Sequence, residues 1–224
     1  MDLMEAVKSR HSVRSYTDKK IEGDALDQLI KTVEECNSKS GLNIQLCLNE
    51  PEAFSSLMAK YGKFNNVRNY IALVGKNDAQ LEEKTGYYGE IAALKAQQLG
   101  MNTCWVAMSY NKKKCTAKVN AGEKLLMVLS IGYGETTGVL HKSKPIEKLY
   151  SVNGDMPDWF RQGMEAAQLA PTAMNQQKFC FELNGNTVKT NAGSGFYTKV
   201  DLGIAKYHFE IGAGKNGWEW DSKN

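Results

Sequence analysis

The sequence predicts an α+β fold in which a mixed β-sheet is sandwiched by helices, and two observations support this prediction. Segments with the helical spacing of apolar residues alternate along the chain with short strand-like runs. Hairpin chemistry is also present, because Asn184–Gly185 stands between two strand-like runs near the end of the chain. The length of 224 residues allows one large domain or two small ones.

The predicted helices come from apolar spacing combined with start and stop signals. Asp24 is a good N-cap for the second helix, and Gly100 is the C-cap of the helix with the clearest pattern. In chain order, the helical segments are Met1–Ser9, a helix after Asp24, Glu52–Tyr61, Thr85–Leu99, Asp158–Leu169 and Asp201–Ile211.

The predicted strands are short runs of alternating or uniformly apolar residues. They are Asn43–Leu48, Tyr70–Val74, a loop-to-strand stretch at Asn102–Ala107, Leu125–Gly132, Lys178–Leu183 and Thr187–Thr190. The turn-rich stretch Ser151–Pro157 gives the one internal boundary. We therefore expect a division into residues 1–150 and residues 151–224.

A faint internal repeat relates the two predicted parts. Asp27–Leu48 can be aligned with Arg161–Leu183, because in both a helix leads through a polar turn into a strand that contains a cysteine. Gly89–Gly100 similarly resembles Gly203–Gly214. The similarity has two explanations: chance, or a second part that is a shortened copy of the first.

Composition and charge exclude several classes of function. The net charge of +3 and the pI of about 8.5 are too mild for a nucleic-acid surface, and Lys112–Lys114 is typical of a solvated loop. No apolar run approaches the length of a membrane span, and the N-terminus lacks the pattern of a signal peptide. Five cysteines without a CxxC pair indicate free thiols rather than a zinc site. We expect a cytoplasmic protein with no metal, nucleic-acid partner or membrane partner.

Two basic segments suit a phosphate group. Arg10, Ser12 and Arg14 alternate in an extended stretch, and two guanidinium groups flanking a hydroxyl match a phosphate monoester. A solvent-facing basic edge is the alternative. Lys142 and Lys144 also alternate, and they either close the same site or are ordinary exposed lysines.

Two further segments suit a planar ring. In Gly100–Val106 a helix ends in a small-residue turn that can bring backbone N–H groups against a heterocycle, although core packing explains Trp105 equally well. In Ala170–Gln177, Pro171 ends a helix and a polar, uncharged loop follows. Such a loop offers donors and acceptors to the edge of a heterocycle. An ordinary helix-to-strand turn is the alternative.

Together the four segments resemble the nitroreductase family of flavoproteins in their residues and mostly in their order. The family opens with a helix and an RxSxR-type stretch, as in Arg10–Arg14, and has a GxxTCW-like turn after a long helix, as in Gly100–Trp105. Its core ends with a KxRKP-like segment, as in Lys142–Pro145. The resemblance covers most of residues 1–150 and a separate patch at residues 158–183.

The resemblance implies an FMN-dependent oxidoreductase that transfers hydride or electrons from NAD(P)H to an electron-poor small molecule, such as a nitroaromatic or a quinone. No residue stands out as a general acid or base, so no catalytic residue is assigned. The implied cofactor-binding residues are Arg10, His11, Ser12, Arg14, Lys142 and Lys144 toward the phosphate and ribityl chain, Thr103, Cys104, Trp105 and Val106 near the reactive nitrogen, and Pro171, Thr172, Ala173, Met174, Asn175 and Gln177 along the ring.

One departure from the family pattern concerns the loop along the ring. The family's APSxxNxQPW-like loop normally follows the second helix, where this chain reads CNSKSGLNIQ. The better match is Ala170–Phe179, in which Lys178 and Phe179 replace the usual Pro-Trp. In ordinary members this loop comes from the partner subunit of a homodimer. We therefore expect either a monomeric pseudo-dimer, as in a divergent subgroup with two fused halves, or a homodimer in which the loop acts in trans.

Two other functions stay open on the sequence. One is a flavin carrier or sensor without turnover, because the same phosphate site would serve it. The other is a structural copy that has lost flavin, since Lys144 stands where the family has Arg and Phe179 where it has Trp. The sequence does not choose between NADH and NADPH.

Overall fold

A computed structural model describes residues 1–215 and 217–221, and this described part contains six α-helices and two four-stranded β-sheets. The predicted α+β class is confirmed. The helices are α1 (Leu3–Ser9), α2 (Gly23–Ser40), α3 (Leu57–Tyr61), α4 (Leu81–Gln98), α5 (Asp158–Gln168) and α6 (Thr198–Ala213). The strands are β1 (Gln45–Cys47), β2 (Asn69–Lys76), β3 (Asn102–Val106), β4 (Glu123–Gly132), β5 (Tyr150–Asn153), β6 (Phe179–Asn184), β7 (Thr187–Ala192) and β8 (Glu219–Trp220).

The predicted helices are present, but some of their ends differ from the predictions. α2 begins at Gly23, so Asp24 lies in its first turn and is not the N-cap. A carboxylate in the first turn still stabilises the helix through its dipole. The helix predicted at residues 52–61 is interrupted, because Pro51–Phe54 forms a 3-10 turn and α3 starts after Ser56. Ser56 is extended, and its side chain accepts a hydrogen bond from the Ala59 N–H of α3. Ser56 is therefore the N-cap of α3.

β5 and β8 are absent from the sequence predictions, and β5 falls within the stretch predicted as turns. β5 pairs in parallel with β6, and β8 pairs in parallel with β7. Both strands are short and partly exposed, so the neighbouring strand rather than an apolar pattern determines their extended conformation. The hairpin between β6 and β7 turns at Gly185–Asn186, one residue later than predicted, with Gly185 at φ +60°.

Contacts divide the described chain into two compact units. Unit 1 contains residue 1, residues 9–81 and residues 91–140. Unit 2 contains residues 2–8, residues 82–90 and the described residues from 141 onward. The predicted division into residues 1–150 and 151–224, and the interpretation of the second part as a shortened copy, stay predictions.

Unit 1 is built on an antiparallel sheet with the strand order β1-β2-β4-β3. The central strands β2 and β4 are buried along most of their length, which is why they are nearly continuous apolar runs in the sequence. The buried side chains of Tyr70, Ile71, Leu73 and Leu129 are among the largest in this core. β3 lies at one end of the sheet, where the chain that follows α1 pairs with it.

Unit 2 contains the second sheet, in the order β5-β6-β7-β8, with parallel outer pairs and an antiparallel central pair. In this unit α6 packs at very short range against the 82–90 part of α4. A Cβ atom added at Gly203 would lie 2.1 Å from the carbonyl oxygen of Glu83. A Cβ added at Gly86 would lie 2.0 Å from the carbonyl oxygen of Val200. Glycine at both positions therefore permits the helices to approach this closely.

An aromatic cluster fills the rest of the unit 2 core. Phe209 of α6 is fully buried at the centre of the cluster. Its ring centroid lies between 5.1 and 6.4 Å from those of Trp159, Phe160, Phe181, Trp218 and Trp220. The two tryptophans near the end of the chain therefore cover the core of unit 2.

Candidate functional site

In unit 1, the first basic segment meets β3 at Thr103, the first residue of the segment Thr103–Val106. Ser12 forms a parallel bridge with Thr103. The Val13 N–H donates to the carbonyl oxygen of Thr103 at 3.1 Å. This pairing extends the edge of the sheet. It makes neighbours of Ser12 and Thr103, which are about 90 positions apart in the chain.

Tyr16 anchors the far end of the same extended stretch. Its buried hydroxyl donates to the Val13 carbonyl oxygen at 2.7 Å and lies 2.8 Å from Ser130 Oγ. Burial raises the pKa of Tyr16 well above its usual value, so the hydroxyl stays protonated. On the opposite side of the stretch, the Asn65 N–H donates to the Arg14 carbonyl oxygen at 2.9 Å. The backbone of this segment is therefore fixed from two sides.

The two arginines of the segment differ in exposure. Arg10 is 3% exposed, whereas Arg14 is exposed and its guanidinium carbon lies 5.9 Å from the centroid of the Phe64 ring. A solvent-facing basic edge therefore does not describe Arg10. A buried guanidinium is costly in free energy unless an anion or hydrogen-bond acceptors compensate for the lost water.

The Cys104 thiol is buried in the same part of β3. Burial raises the pKa of this thiol, and the Arg14 charge, a hydrogen bond with Ser12 and the Arg10 charge oppose the increase. The effect of burial is the largest, so the thiol stays protonated at neutral pH.

Thr103 carries the observation at this position that points most directly to a ligand. It is 1% exposed, and its Oγ1 has no hydrogen-bond partner among the described residues. Leaving a buried hydroxyl without a partner costs about 1–3 kcal/mol. A ligand that accepts or donates a hydrogen bond there would remove this cost. The neighbouring pairing partner, Ser12, is only half-buried.

The glycine-rich loop after β4 packs against the same extended stretch and was not among the predicted site segments. Gly138 has φ +77°, and a Cβ there would lie 2.7 Å from the Cβ of His11. The Gly134 N–H donates to Asn102 Oδ1 at 3.1 Å. Burial and the adjacent Arg10 charge lower the pKa of His11, so the ring is neutral at pH 7. The glycines are the sequence signal that could have identified this loop.

In unit 2, the second basic segment and the segment Ala170–Gln177 lie against each other. Lys144 donates twice to Gln177, from Nζ to the carbonyl oxygen at 2.9 Å and from the backbone N–H to Oε1 at 2.6 Å. Asn175 Nδ2 donates to the Lys142 carbonyl oxygen at 2.6 Å. These four predicted site residues therefore form hydrogen bonds with one another through the groups just named. Their predicted contacts with a flavin stay predictions.

The loop from residue 171 to residue 177, called the ring loop below, has a backbone conformation that L-amino acids rarely adopt. Met174, Asn175 and Gln177 have φ values of 52°, 54° and 42°. Each left-handed residue that is not glycine costs on the order of 1 kcal/mol, with asparagine the most tolerant. Such strain persists where the surroundings enforce it, and it is concentrated at functional sites. Met174 is 91% exposed at the surface of this loop.

Two residues outside the predictions hold the ring loop. Gln168, at the end of α5, accepts from Gln177 Nε2 at its carbonyl oxygen at 2.7 Å. Asp201, in the first turns of α6, accepts from the Ala173 N–H and from Gln176 Nε2, both at 2.8 Å. Burial raises the pKa of Asp201 to about 6, although the two hydrogen bonds oppose this effect. An aspartate at the start of a predicted helix was the available signal, but it is also the ordinary signal of an N-cap.

The remaining predicted site residues lie in β3 and in the ring loop. Cys104 and Val106 are buried in β3 and Trp105 is half-buried there, while Pro171, Thr172 and Ala173 are half-buried in the ring loop. Within residues 1–215 and 217–221, no group of three or more potential ligands could hold a metal ion. Over the same residues, no helix is both long enough and apolar enough to cross a bilayer.

Comparison with known protein families assigns the chain to one of them. The family described as "Putative TM nitroreductase" matches residues 2–213, so the chain belongs to that nitroreductase family. The resemblance predicted from the sequence is thereby confirmed. Membership makes the protein an oxidoreductase of the nitroreductase type. No curated protein matches the chain.

Solved structures show the same fold at low sequence identity. A putative nitroreductase from Thermotoga maritima is 21% identical, with a TM-score of 0.63, and the match covers 94% of this chain and 83% of that one. A putative NADH dehydrogenase/NAD(P)H nitroreductase from Parabacteroides distasonis is 17% identical, with a TM-score of 0.53 and coverages of 68% and 98%. A nitroreductase-like family protein from Bacillus cereus is 21% identical, with a TM-score of 0.51 and coverages of 69% and 97%.

Proposed function

We propose that the protein is an FMN-dependent oxidoreductase that transfers hydride or electrons from NAD(P)H to an electron-poor small molecule, such as a nitroaromatic or a quinone. The observation that carries the FMN assignment is the buried Thr103 hydroxyl, which has no hydrogen-bond partner among the described residues and lies on the strand position that pairs with Ser12. Family membership supports the reaction class, and the residues of unit 1 support the cofactor.

The donor groups of unit 1 fit a phosphate monoester. Arg10, Ser12 and Arg14 alternate along the extended stretch that pairs with Thr103, and two guanidinium groups flanking a hydroxyl match a phosphate monoester. Thr103 adds a buried hydroxyl that lacks a partner. Charge-assisted hydrogen bonds from guanidinium groups are about twice as strong as neutral ones, which would favour a phosphate as the ligand. Arg10, Ser12 and Arg14 would bind the FMN phosphate and the adjoining ribityl chain, and Thr103 would bind the cofactor toward its reactive nitrogen.

The ring loop of unit 2 is proposed for the isoalloxazine ring. Pro171, Thr172 and Ala173 are half-buried, and Asn175 and Met174 are exposed on the loop. The loop is strained and extensively hydrogen-bonded, so its groups are preorganised before a ligand binds. Additional phosphate contacts from Lys142 and Lys144 belong to the same proposal. The loop would act either within its own chain or on a second copy of the protein.

The protein residues would bind and orient the cofactor, whereas FMN when bound would supply the redox chemistry. The neutral ring of His11 adds no charge at the phosphate end, so Arg10 and Arg14 would provide the positive charge there. The pairing of Ser12 with Thr103, together with the hydrogen bond from the Asn65 N–H to the Arg14 carbonyl oxygen, would keep the backbone of the basic segment in place without reorganisation. No described side chain is assigned as a general acid or base.

The first test measures FMN affinity. Protein freed of flavin is titrated with FMN, and binding is followed by the quenching of flavin fluorescence. Thr103→Val replaces the hydroxyl with a methyl group of similar size, so we expect the Kd for FMN to rise about tenfold, the upper end of the effect of losing one hydrogen bond. Because the unpartnered buried hydroxyl is also removed, the flavin-free variant should unfold at the same urea concentration as the parent or at a higher one.

Thr85→Val is a matched control. Thr85 is fully buried in α4, and its Oγ1 also has no hydrogen-bond partner among the described residues. It belongs to unit 2, away from residues 10–16 in the chain and outside every predicted site segment. We expect no change in FMN affinity for this variant. Equal loss of affinity in both variants, or no loss in Thr103→Val, would contradict the assignment of Thr103 to the cofactor site.

The second test measures turnover. FMN-loaded protein is mixed with NADH or NADPH, and nucleotide oxidation is followed with a quinone or a nitroaromatic compound as acceptor. We expect oxidation that depends on the acceptor. Bound FMN with no oxidation by any acceptor would instead indicate a flavin carrier or sensor. Absence of FMN binding by the parent protein would indicate a structural copy that has lost its cofactor.

A further inference from the structure

We propose that Asp201 is a positioning residue that keeps the ring loop in its strained conformation so that the loop can bind the flavin ring. This inference rests on the proposed function. It adds to that function a residue that lies about 25 positions beyond the loop in the chain, that is not itself a predicted flavin contact, and that holds one of those contacts, Ala173, through its backbone N–H.

The geometry places both oxygens of one buried carboxylate on the ring loop. Oδ1 accepts from the Ala173 N–H at 2.8 Å, and Oδ2 accepts from Gln176 Nε2 at 2.8 Å. Asp201 is 2% exposed, so water does not compete for these oxygens. Gln176 Nε2 also donates to the Phe196 carbonyl oxygen at 2.9 Å, which uses both of its hydrogens.

The two hydrogen bonds lie on either side of two of the three strained residues of the loop, and the third, Gln177, follows directly after them. Ala173 and Gln176 flank Met174 and Asn175, and both of these central residues have positive φ values. Fixing a segment on both sides restricts the conformations that its centre can adopt, and a left-handed centre requires such restriction. Asp201 also lies in the first turns of α6, where the helix dipole stabilises a carboxylate. The α6 helix therefore provides a rigid support for the loop.

The competing explanation is that Asp201 stabilises α6 and has no influence on ligand binding. Three variants distinguish the two explanations. Asp201→Ala removes both acceptors. Asp201→Asn keeps an acceptor for the Ala173 N–H but places an amide N–H₂ group opposite Gln176 Nε2, so it should have an intermediate effect. Asp155→Ala, which changes an exposed carboxylate in the same unit, is the matched control.

The first experiment measures hydrogen exchange in flavin-free protein. We expect the amide of Ala173 and its loop neighbours to exchange faster in Asp201→Ala, while the amides of β6 and β7 keep their rates. In Asp201→Asn the Ala173 amide should stay protected. Unchanged loop exchange in Asp201→Ala would overturn the proposal, whether or not the protein binds flavin. Faster exchange throughout unit 2 would show a purely structural role and would also overturn it.

The second experiment compares the affinities for FMN and riboflavin, which carry the same ring but differ in the phosphate. If Asp201 acts through the ring loop, Asp201→Ala should weaken both ligands by the same factor, about tenfold, and Asp201→Asn should weaken both by a smaller factor. The Asp155→Ala variant should bind both ligands like the parent. A loss confined to FMN would place the effect at the phosphate and overturn the proposal, as would parental affinity in Asp201→Ala.

The two experiments separate this inference from the proposed function. If the parent protein binds neither flavin, the proposed function fails, and the ring-binding role of Asp201 fails with it. If the parent binds both flavins and Asp201→Ala binds them equally well, the proposed function stands and the positioning role fails. If Asp201→Ala does not fold, Asp201→Asn and Gln176→Ala supply the comparison, because both remove the contact between residues 176 and 201 and keep an acceptor for the Ala173 N–H; Gln176→Ala also removes the hydrogen bond to the Phe196 carbonyl oxygen.

Discussion

In unit 2, the close approach of α6 to residues 82–90 of α4 predicts that alanine in place of Gly203 lowers the free energy of unfolding. Replacing Gly203 with alanine would place a Cβ 2.1 Å from the Glu83 carbonyl oxygen and 2.8 Å from the Tyr87 nitrogen. Both are backbone atoms of α4, so no side chain can rotate away to relieve the overlap. Overpacking of this kind costs about 3 kcal/mol, the upper end of the usual range. Alanine in a helix is favoured over glycine by about 1 kcal/mol. We therefore expect a net loss of about 2 kcal/mol in the free energy of unfolding.

Urea denaturation followed by far-UV circular dichroism measures this loss as a lower unfolding midpoint. Lys199→Ala is the control, because it changes an exposed side chain on the same helix and should alter stability by less than about 0.5 kcal/mol. Gly86→Ala should behave like Gly203→Ala, since its Cβ would lie 2.0 Å from the Val200 carbonyl oxygen. An alanine variant at residue 203 that is as stable as the parent would refute the packing of α6 against residues 82–90.

Two further predictions concern buried titratable groups of unit 2. Burial raises the pKa of Asp201 from 3.8 to about 6, so its contribution to stability is complete below about pH 4 and is lost as the pH rises through 6. The stability of the parent relative to Asp201→Asn should therefore fall by about 2 kcal/mol between pH 4 and pH 7, and a constant difference in urea midpoints would contradict this. Glu90 and His208 are fully buried, with Glu90 Oε1 2.9 Å from His208 Nε2. Glu90→Ala should cost about 3 kcal/mol by thermal denaturation. Glu90→Gln should cost less than half of that, because its side-chain amide can either donate to or accept from the His208 ring, and equal losses would exclude this hydrogen bond as the reason.

The residues of the candidate site were predictable from local chemistry, but their arrangement was not. The alternation of Arg10, Ser12 and Arg14 predicted a phosphate segment, and the residue types at Thr103–Val106 predicted a second site segment. The pairing of Ser12 with Thr103 joins these segments across about 90 residues of chain. Strand pairing over such a separation depends on which edge of the sheet is free, and a linear pattern does not contain that information.

The contacts that hold the ring loop were also beyond sequence reasoning. Asn175 and Gln177 were predicted as flavin contacts, yet the structure shows them donating to or accepting from the second basic segment. Asp201 was predicted as the start of a helix, whereas it lies inside α6 as a buried acceptor. A polar side chain looks the same in a sequence whether it meets water, a ligand or a neighbouring loop. Its partner is determined by tertiary packing.

The sequence by itself determined the fold class, the approximate position of every helix and the family, because these follow from apolar periodicity and from local motifs that survive in a linear pattern. Only the tertiary structure showed that β5 and β8 are strands, that Arg10 and the Thr103 hydroxyl are buried, and that Asp201 supports a strained loop. These properties depend on what each residue packs against, and the packing partners are distant in the chain. Burial changes the free energy of a charge or a hydroxyl far more than its sequence neighbours do, which is why the proposed site rests on the structure.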